Sequence, residues 1–171
     1  MKKLFILILA AISFTSCNQE AKPIPQQQNK AVQNVQNEQG FVLPGLNGDS
    51  YDFTEKIKQK PVVVAFMAGF CGWCKKMLPY MDELAGKVPS AEADVIIAFM
   101  DESSSTLVNL EPVKAAKNIK IYYDASDLMQ EQDVRGFPTI MLFKDGEQVE
   151  TWHGYSPDHV DDILDTLKDL K

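Results

Sequence analysis

An α/β fold, with a central mixed sheet flanked by helices, is what this sequence predicts, and three observations carry it. Pro61–Met67, Val95–Met100 and Thr139–Phe143 are apolar at nearly every position. Such runs suit strands buried on both faces of a sheet, since a strand with one wet face alternates apolar and polar residues. Between the runs, apolar residues recur at helical spacing, so helices are available to cover both faces.

The elements follow in order. Phe41–Leu43 and the segment around Tyr51–Phe53 flank Asn47-Gly48-Asp49, a turn signal, and read as a small N-terminal hairpin. After Cys74, the residues Met77, Leu78, Met81, Leu84 and Ala85 lie on one helical face. Ser105–Lys117 reads as a second helix, kinked or divided at Pro112. Ile119–Tyr123 reads as a further strand. Asp145-Gly146 makes a tight turn from the third apolar run into Gln148–His153, an antiparallel neighbour. In the last helix Ser156 is the expected N-cap and Pro157 the first helical residue. Val160, Ile163, Leu164 and Leu167 form its apolar face. There is no internal repeat.

The 171 residues allow one domain, 41–171, preceded by a leader and a tether. The leader covers 1–16: basic Met1-Lys2-Lys3, an apolar run from Leu4 to Ile12, then small residues before Cys17. This is the layout of a secretory signal, and the run is shorter than the ~20 residues that span a bilayer. Thr15-Ser16-Cys17 resembles a bacterial lipobox, with Phe14 where such motifs usually have Leu. The resemblance implies cleavage before Cys17 and lipid attachment to it; a plain signal peptide is the alternative. Residues 17–40 are dominated by Gln and Asn, have no aromatic residue and read as a flexible tether. Its 23 residues after Cys17 give an r.m.s. reach of roughly 25–30 Å. The expected location is thus a bacterial cell envelope, lipid-anchored, facing the periplasm or extracytoplasmic space.

Composition narrows the function. A formal charge of −7 with scattered Lys and Arg excludes the basic face a nucleic-acid binder needs. The three cysteines are Cys17, Cys71 and Cys74. With Cys17 assigned to lipid, a Cys-Gly-Trp-Cys pair remains. It follows a buried strand and opens a helix, where unpaired N–H groups and the dipole favour a thiolate on Cys71. Cys74, one turn in, is the expected resolving thiol, which attacks the mixed disulfide and releases the reduced substrate. A zinc site needs further ligands, and the domain offers only His153 and His159 besides. A purely structural disulfide over so short a loop would constrain little unfolded-state entropy. Trp73 is an expected substrate contact or a plain surface aromatic.

These motifs resemble the thioredoxin family over nearly all of 41–171. FMAGFCGWCKKMLPYM is similar to its active-site segment, and Pro79 to the proline that kinks its active-site helix. Val134-Arg135-Gly136-Phe137-Pro138-Thr139 resembles its cis-proline loop, IMLFKDGEQV its following strand, and Gly154 a glycine after the last strand. The resemblance implies a thioredoxin-like fold and thiol–disulfide oxidoreductase activity. It implies no cofactor or metal beyond a redox-active Cys71–Cys74 disulfide. It further implies a cis Pro138 beside the sulfurs and a Phe137 backbone free to pair with an extended substrate.

Asp101–Asp124 is longer than the corresponding part of thioredoxins proper and reads as a helix–strand insertion. The insertion, the hairpin and the anchor resemble the TlpA/ResA branch, extracytoplasmic reductants often tied to cytochrome c maturation. The branch places an acid after the second buried strand: Glu102 is the expected catalytic candidate, with Asp101 as the alternative. Ala65 stands where thioredoxins carry a buried aspartate. The expected partners are protein thiols or disulfides and a membrane electron donor, with the protein acting as a monomer. A disulfide oxidase or isomerase is the alternative function, and a copper-binding module a less favoured one. Copper carriers of this fold usually space their cysteines by three residues.

Overall fold

The structure, a computed structural model, describes residues 40–170. The expected leader, Cys17 and all of the expected tether except Gly40 lie outside the described residues. Five strands form one mixed sheet. Its central strand is β3 (Val62–Met67), with β4 (Asp94–Phe99) and then β5 (Lys120–Tyr122) parallel to it on one side. On the other side β6 (Thr139–Lys144) runs antiparallel to β3, and β7 (Glu147–His153) closes the edge antiparallel to β6. The turn between β6 and β7 holds Asp145 at φ 54° and Gly146 at φ 87°. Two successive left-handed residues are what a two-residue hairpin requires, and Asp-Gly provides them at low cost.

Strand alternation sorts the core into two layers. Val63, Ala65, Met67, Ile97, Ile140 and Leu142 face α2 (Gly72–Lys87) and α6 (His159–Asp169). Val62, Val64, Phe66, Ile96, Ala98 and Met141 face α1 (Phe53–Gln59) and α5 (Ser126–Glu131). All six residues of β3 are buried, as a strand covered on both sides requires. α2 buries Cys74, Met77, Leu78, Met81 and Leu84, while Ala85 is partly buried. Pro79 sits inside α2, where its missing N–H leaves the Lys75 carbonyl without its usual helical donor.

The N-terminal hairpin is a separate two-stranded ribbon, β1 (Val42–Pro44) and β2 (Ser50–Asp52). Hydrogen bonds from Leu46 N–H to Ile121 and from Tyr123 N–H to Pro44 attach it beside β5. The buried Tyr51 hydroxyl donates to Asp94 at 2.9 Å, and Lys60 pairs with the same carboxylate at 2.6 Å.

Four sequence expectations change. Phe53 begins a helix instead of extending the hairpin, because the Asp52 carboxylate caps α1 by accepting from Glu55 N–H at 3.1 Å. The helix expected over Ser105–Lys117 is two short ones, α3 (Ser104–Leu107) and α4 (Glu111–Ala115). Pro112 lies in the first turn of α4, where a missing N–H costs nothing. The strand expected over Ile119–Tyr123 shortens to β5. Ser156 does not cap α6 directly: a tight turn, with His159 N–H bonded to Ser156 and Val160 N–H to Pro157, precedes the helix, and Asp158 is its N-cap.

Candidate active site

Cys71 follows the β3 strand as the N-cap of α2, and its neighbours explain its position. Its N–H donates to the Ala68 carbonyl at 3.0 Å, and its own carbonyl accepts the first helical bond, from Lys75, at 3.2 Å. The Cys71 Sγ accepts from Cys74 N–H at 3.0 Å, as a capping oxygen does in other helices. Cys71 and Cys74 are joined as a disulfide with Cα atoms 5.2 Å apart. The two sulfurs have different surroundings. Cys71 is partly exposed, whereas Cys74 is 1% exposed and packed among the β3 and α2 apolar side chains. A side chain at Gly72 would meet open space, so nothing of the described residues covers the loop there.

The loop before β6 leads into the strand paired with β3, whose end precedes Cys71. The Phe137–Pro138 peptide bond is cis. Two hydrogen bonds hold the loop: the buried Thr139 hydroxyl donates to the Gly136 carbonyl at 2.8 Å, and Gly154 N–H donates to the Pro138 carbonyl at 2.8 Å. Phe137 is half-buried and meets Phe70 edge-on with ring centroids 6.5 Å apart. The Phe70–Phe137 contact thus brings Phe137, with Pro138 after it, against the residue that precedes Cys71. Trp73 is 56% exposed and stacks on Tyr155.

Of the two acidic candidates, Asp101 is the one beside the motif. Its carboxylate accepts from Gly69 N–H at 2.8 Å, two residues before Cys71, while Glu102 is exposed. Gly69 fits because a Cβ there would lie 2.7 Å from the Asp101 carboxylate and 3.2 Å from Leu107. Asp101 also closes the base of the insertion, its carbonyl accepting from Asp124 N–H at 2.8 Å. Ala65, at the position of the missing strand aspartate, is fully buried in the apolar layer that holds Cys74.

Lys76, and two residues that the sequence did not single out, Tyr80 and Tyr155, join the site's surroundings. Lys76 places its ammonium 4.4 Å from the Trp73 ring centroid, a cation–π contact. Tyr80 meets Tyr155 edge-on at 5.9 Å, and this neighbouring phenol raises the Tyr155 phenol above its ordinary pKa. Tyr155 directly follows Gly154, the one cue the sequence offered. Among the described residues, no group of three or more His, Cys, Asp or Glu side chains is gathered as metal ligands.

Comparison with known proteins identifies this arrangement. The Thioredoxin family matches residues 46–125. The chain is 31% identical to the thioredoxin of Staphylococcus epidermidis, over 67% of this chain and 88% of that protein. It is 30% identical to the protein disulfide-isomerase of Oryctolagus cuniculus over 70% of this chain, a stretch that spans 20% of that longer protein. Among solved structures, the exposed lipoprotein thioredoxin of Streptococcus pneumoniae superposes with a TM-score of 0.61 at 28% identity, covering 75% of this chain and 98% of that one. The chain belongs to the thioredoxin family and is a thiol–disulfide oxidoreductase.

Proposed function

We propose that the protein is an extracytoplasmic, membrane-tethered reductant of protein disulfides, of the TlpA/ResA kind. One observation carries the chemistry: a disulfide whose partly exposed sulfur caps a helix while the other is buried one turn in. Cys71 is the attacking thiol. Its thiolate, favoured by the N-terminus of α2, displaces one sulfur of a client disulfide and forms a mixed disulfide. The displaced client sulfur leaves as a thiolate and takes up a proton. Cys74 then attacks the Cys71 sulfur, forms the intramolecular disulfide and releases the second client thiol. Two electrons pass to the client, so a membrane dithiol donor must reduce the pair again.

Phe137 presents its backbone to an extended client segment, and Pro138 keeps a donor away from the sulfurs. Trp73 is a client contact. Cys74 needs help in losing its proton, and Asp101, through its place on the Gly69 loop, is a better-placed candidate than Glu102. The tether is Cys17, carrying lipid in the cell envelope. The basic start, the apolar run and Thr15-Ser16-Cys17 support it, and the pneumococcal relative is described as an exposed lipoprotein. Apocytochrome c is a client class consistent with this branch. The likeness to disulfide-isomerases favours a second reading, in which the pair shuffles or forms disulfides.

One experiment separates these readings. Cells fed labelled fatty acid are quenched with acid and alkylated, and the protein is isolated. Label that vanishes in Cys17→Ala, on protein recovered mainly as the dithiol, is the expected result. Unlabelled protein in the soluble fraction contradicts the tether, and recovery mainly as the disulfide from cells with an intact donor contradicts the reductive direction.

A further inference from the structure

Trp73 does not stand alone between the cysteines. Its indole lies on Tyr155 with centroids 5.7 Å apart and planes 25° from parallel, and Tyr155 meets Tyr80 at 65°. Trp73 and Tyr80 are two turns apart on α2, hence on one helical face. Tyr155 comes from the turn after β7, whose geometry is set by Gly154 at φ 76°. Gly154 N–H donates to the Pro138 carbonyl. The ring that supports Trp73 is therefore anchored to the loop that carries Phe137 and the cis Pro138.

The indole is still 56% exposed and Phe70 is 76% exposed. Cys71 is thus bracketed in sequence by two large exposed aromatics, each backed by a ring from elsewhere in the fold: Phe70 by Phe137, Trp73 by Tyr155. An unsupported indole would sample several rotamers and lose that freedom when a client binds, whereas a supported one has already lost it. Aromatic area held ready beside the attacking sulfur recognises apolar side chains.

We infer that Tyr155 is a positioning residue that holds the Trp73 indole in place and so makes the exchange selective for client disulfides flanked by large apolar side chains. This rests on the exchange reaction proposed above. Unfolded or extended chains offer such clients most readily, because large apolar residues are most often buried once a protein has folded.

A single-turnover assay with the reduced full-length protein tests this. Its two thiols become the Cys71–Cys74 disulfide while one peptide disulfide becomes two thiols, so no further reductant takes part. Two disulfide-linked peptides are used, differing only in Phe or Ser on either side of the cysteine. The wild type is expected to half-saturate at about fivefold lower concentration with the Phe peptide, the effect of one aromatic contact, with similar saturating rates. Tyr155→Ala is expected to bring the two half-saturation values together. Tyr155→Phe, which keeps the ring stack and loses only the phenol hydroxyl, is expected to keep the wild-type ratio. Trp73→Ala loses the ratio too, and the double variant loses no more, which also serves where one single variant folds poorly. Equal half-saturation for both peptides in the wild type, or a wild-type ratio in Tyr155→Ala, overturns the inference. A wild type that reduces neither peptide overturns the exchange reading beneath it.

Discussion

Cys71 and Cys74 are three residues apart, yet they differ in burial, and the proposed exchange gives them separate tasks. A client held on Cys71 is released when the buried Cys74 attacks, so removing Cys74 leaves the mixed disulfide without a fast intramolecular exit. Cys74→Ser is expected to trap client proteins as bands that collapse on reduction in non-reducing gels, and Cys71→Ser to trap none. Equal trapping by both variants would reverse the division of labour. The Cys71–Cys74 pair and the cis Phe137–Pro138 bond were legible in the sequence because each sits in a short contiguous motif. The acid was less so. Asp101 and Glu102 are adjacent, and only the path of the chain after β4 decides that Asp101 meets Gly69 while Glu102 faces solvent. Tyr155 was not legible as the partner of Trp73, since that contact joins segments about 80 residues apart in sequence and leaves no spacing to read.

At the scale of elements, long buried strands and the two longest helices were readable from their apolar patterns. Short elements were not: α1 and α5 each bury two side chains, too few to establish a period. The insertion is held by a contact of this hidden kind. Asp82, on α2, accepts N–H groups from Lys117 at 3.0 Å, Asn118 at 2.7 Å and Ile119 at 2.9 Å, just before β5. Burial alone would raise its carboxyl pKa, but these three donors outweigh burial and lower it below the usual 3.8. A carboxyl with a folded-state pKa below its unfolded one stabilises the fold above the unfolded value. That contribution is lost as pH falls through the folded value. Asp82→Asn is therefore expected to lower unfolding stability by about 2 kcal/mol at neutral pH. The gap from wild type should narrow below about pH 4 as the wild-type carboxylate is protonated. Denaturant titrations at pH 7 and pH 3 check this; a gap that stays constant would show that the three bonds do not depend on the charge.

For the whole molecule, the scaffold fixes the exchange chemistry while leaving its direction to the balance between the dithiol and disulfide states. Both layers of the core converge on β3, whose end delivers the chain to Cys71, and the cis-proline loop enters β6, the strand paired with β3. The disulfide is placed at the end of β3, where Cys71 is partly exposed and none of the described residues covers Gly72. What sets the direction is how far the fold stabilises the reduced pair. No histidine lies between the cysteines to stabilise the thiolate strongly, which leaves the helix N-terminus as the main favourable influence. The equilibrium reduction potential of the Cys71–Cys74 pair, measured against a glutathione buffer, therefore tests the proposed reductant most directly. The account predicts a value closer to the ~ −270 mV of thioredoxins than to the ~ −120 mV of a strong oxidant; a value above about −180 mV would contradict it.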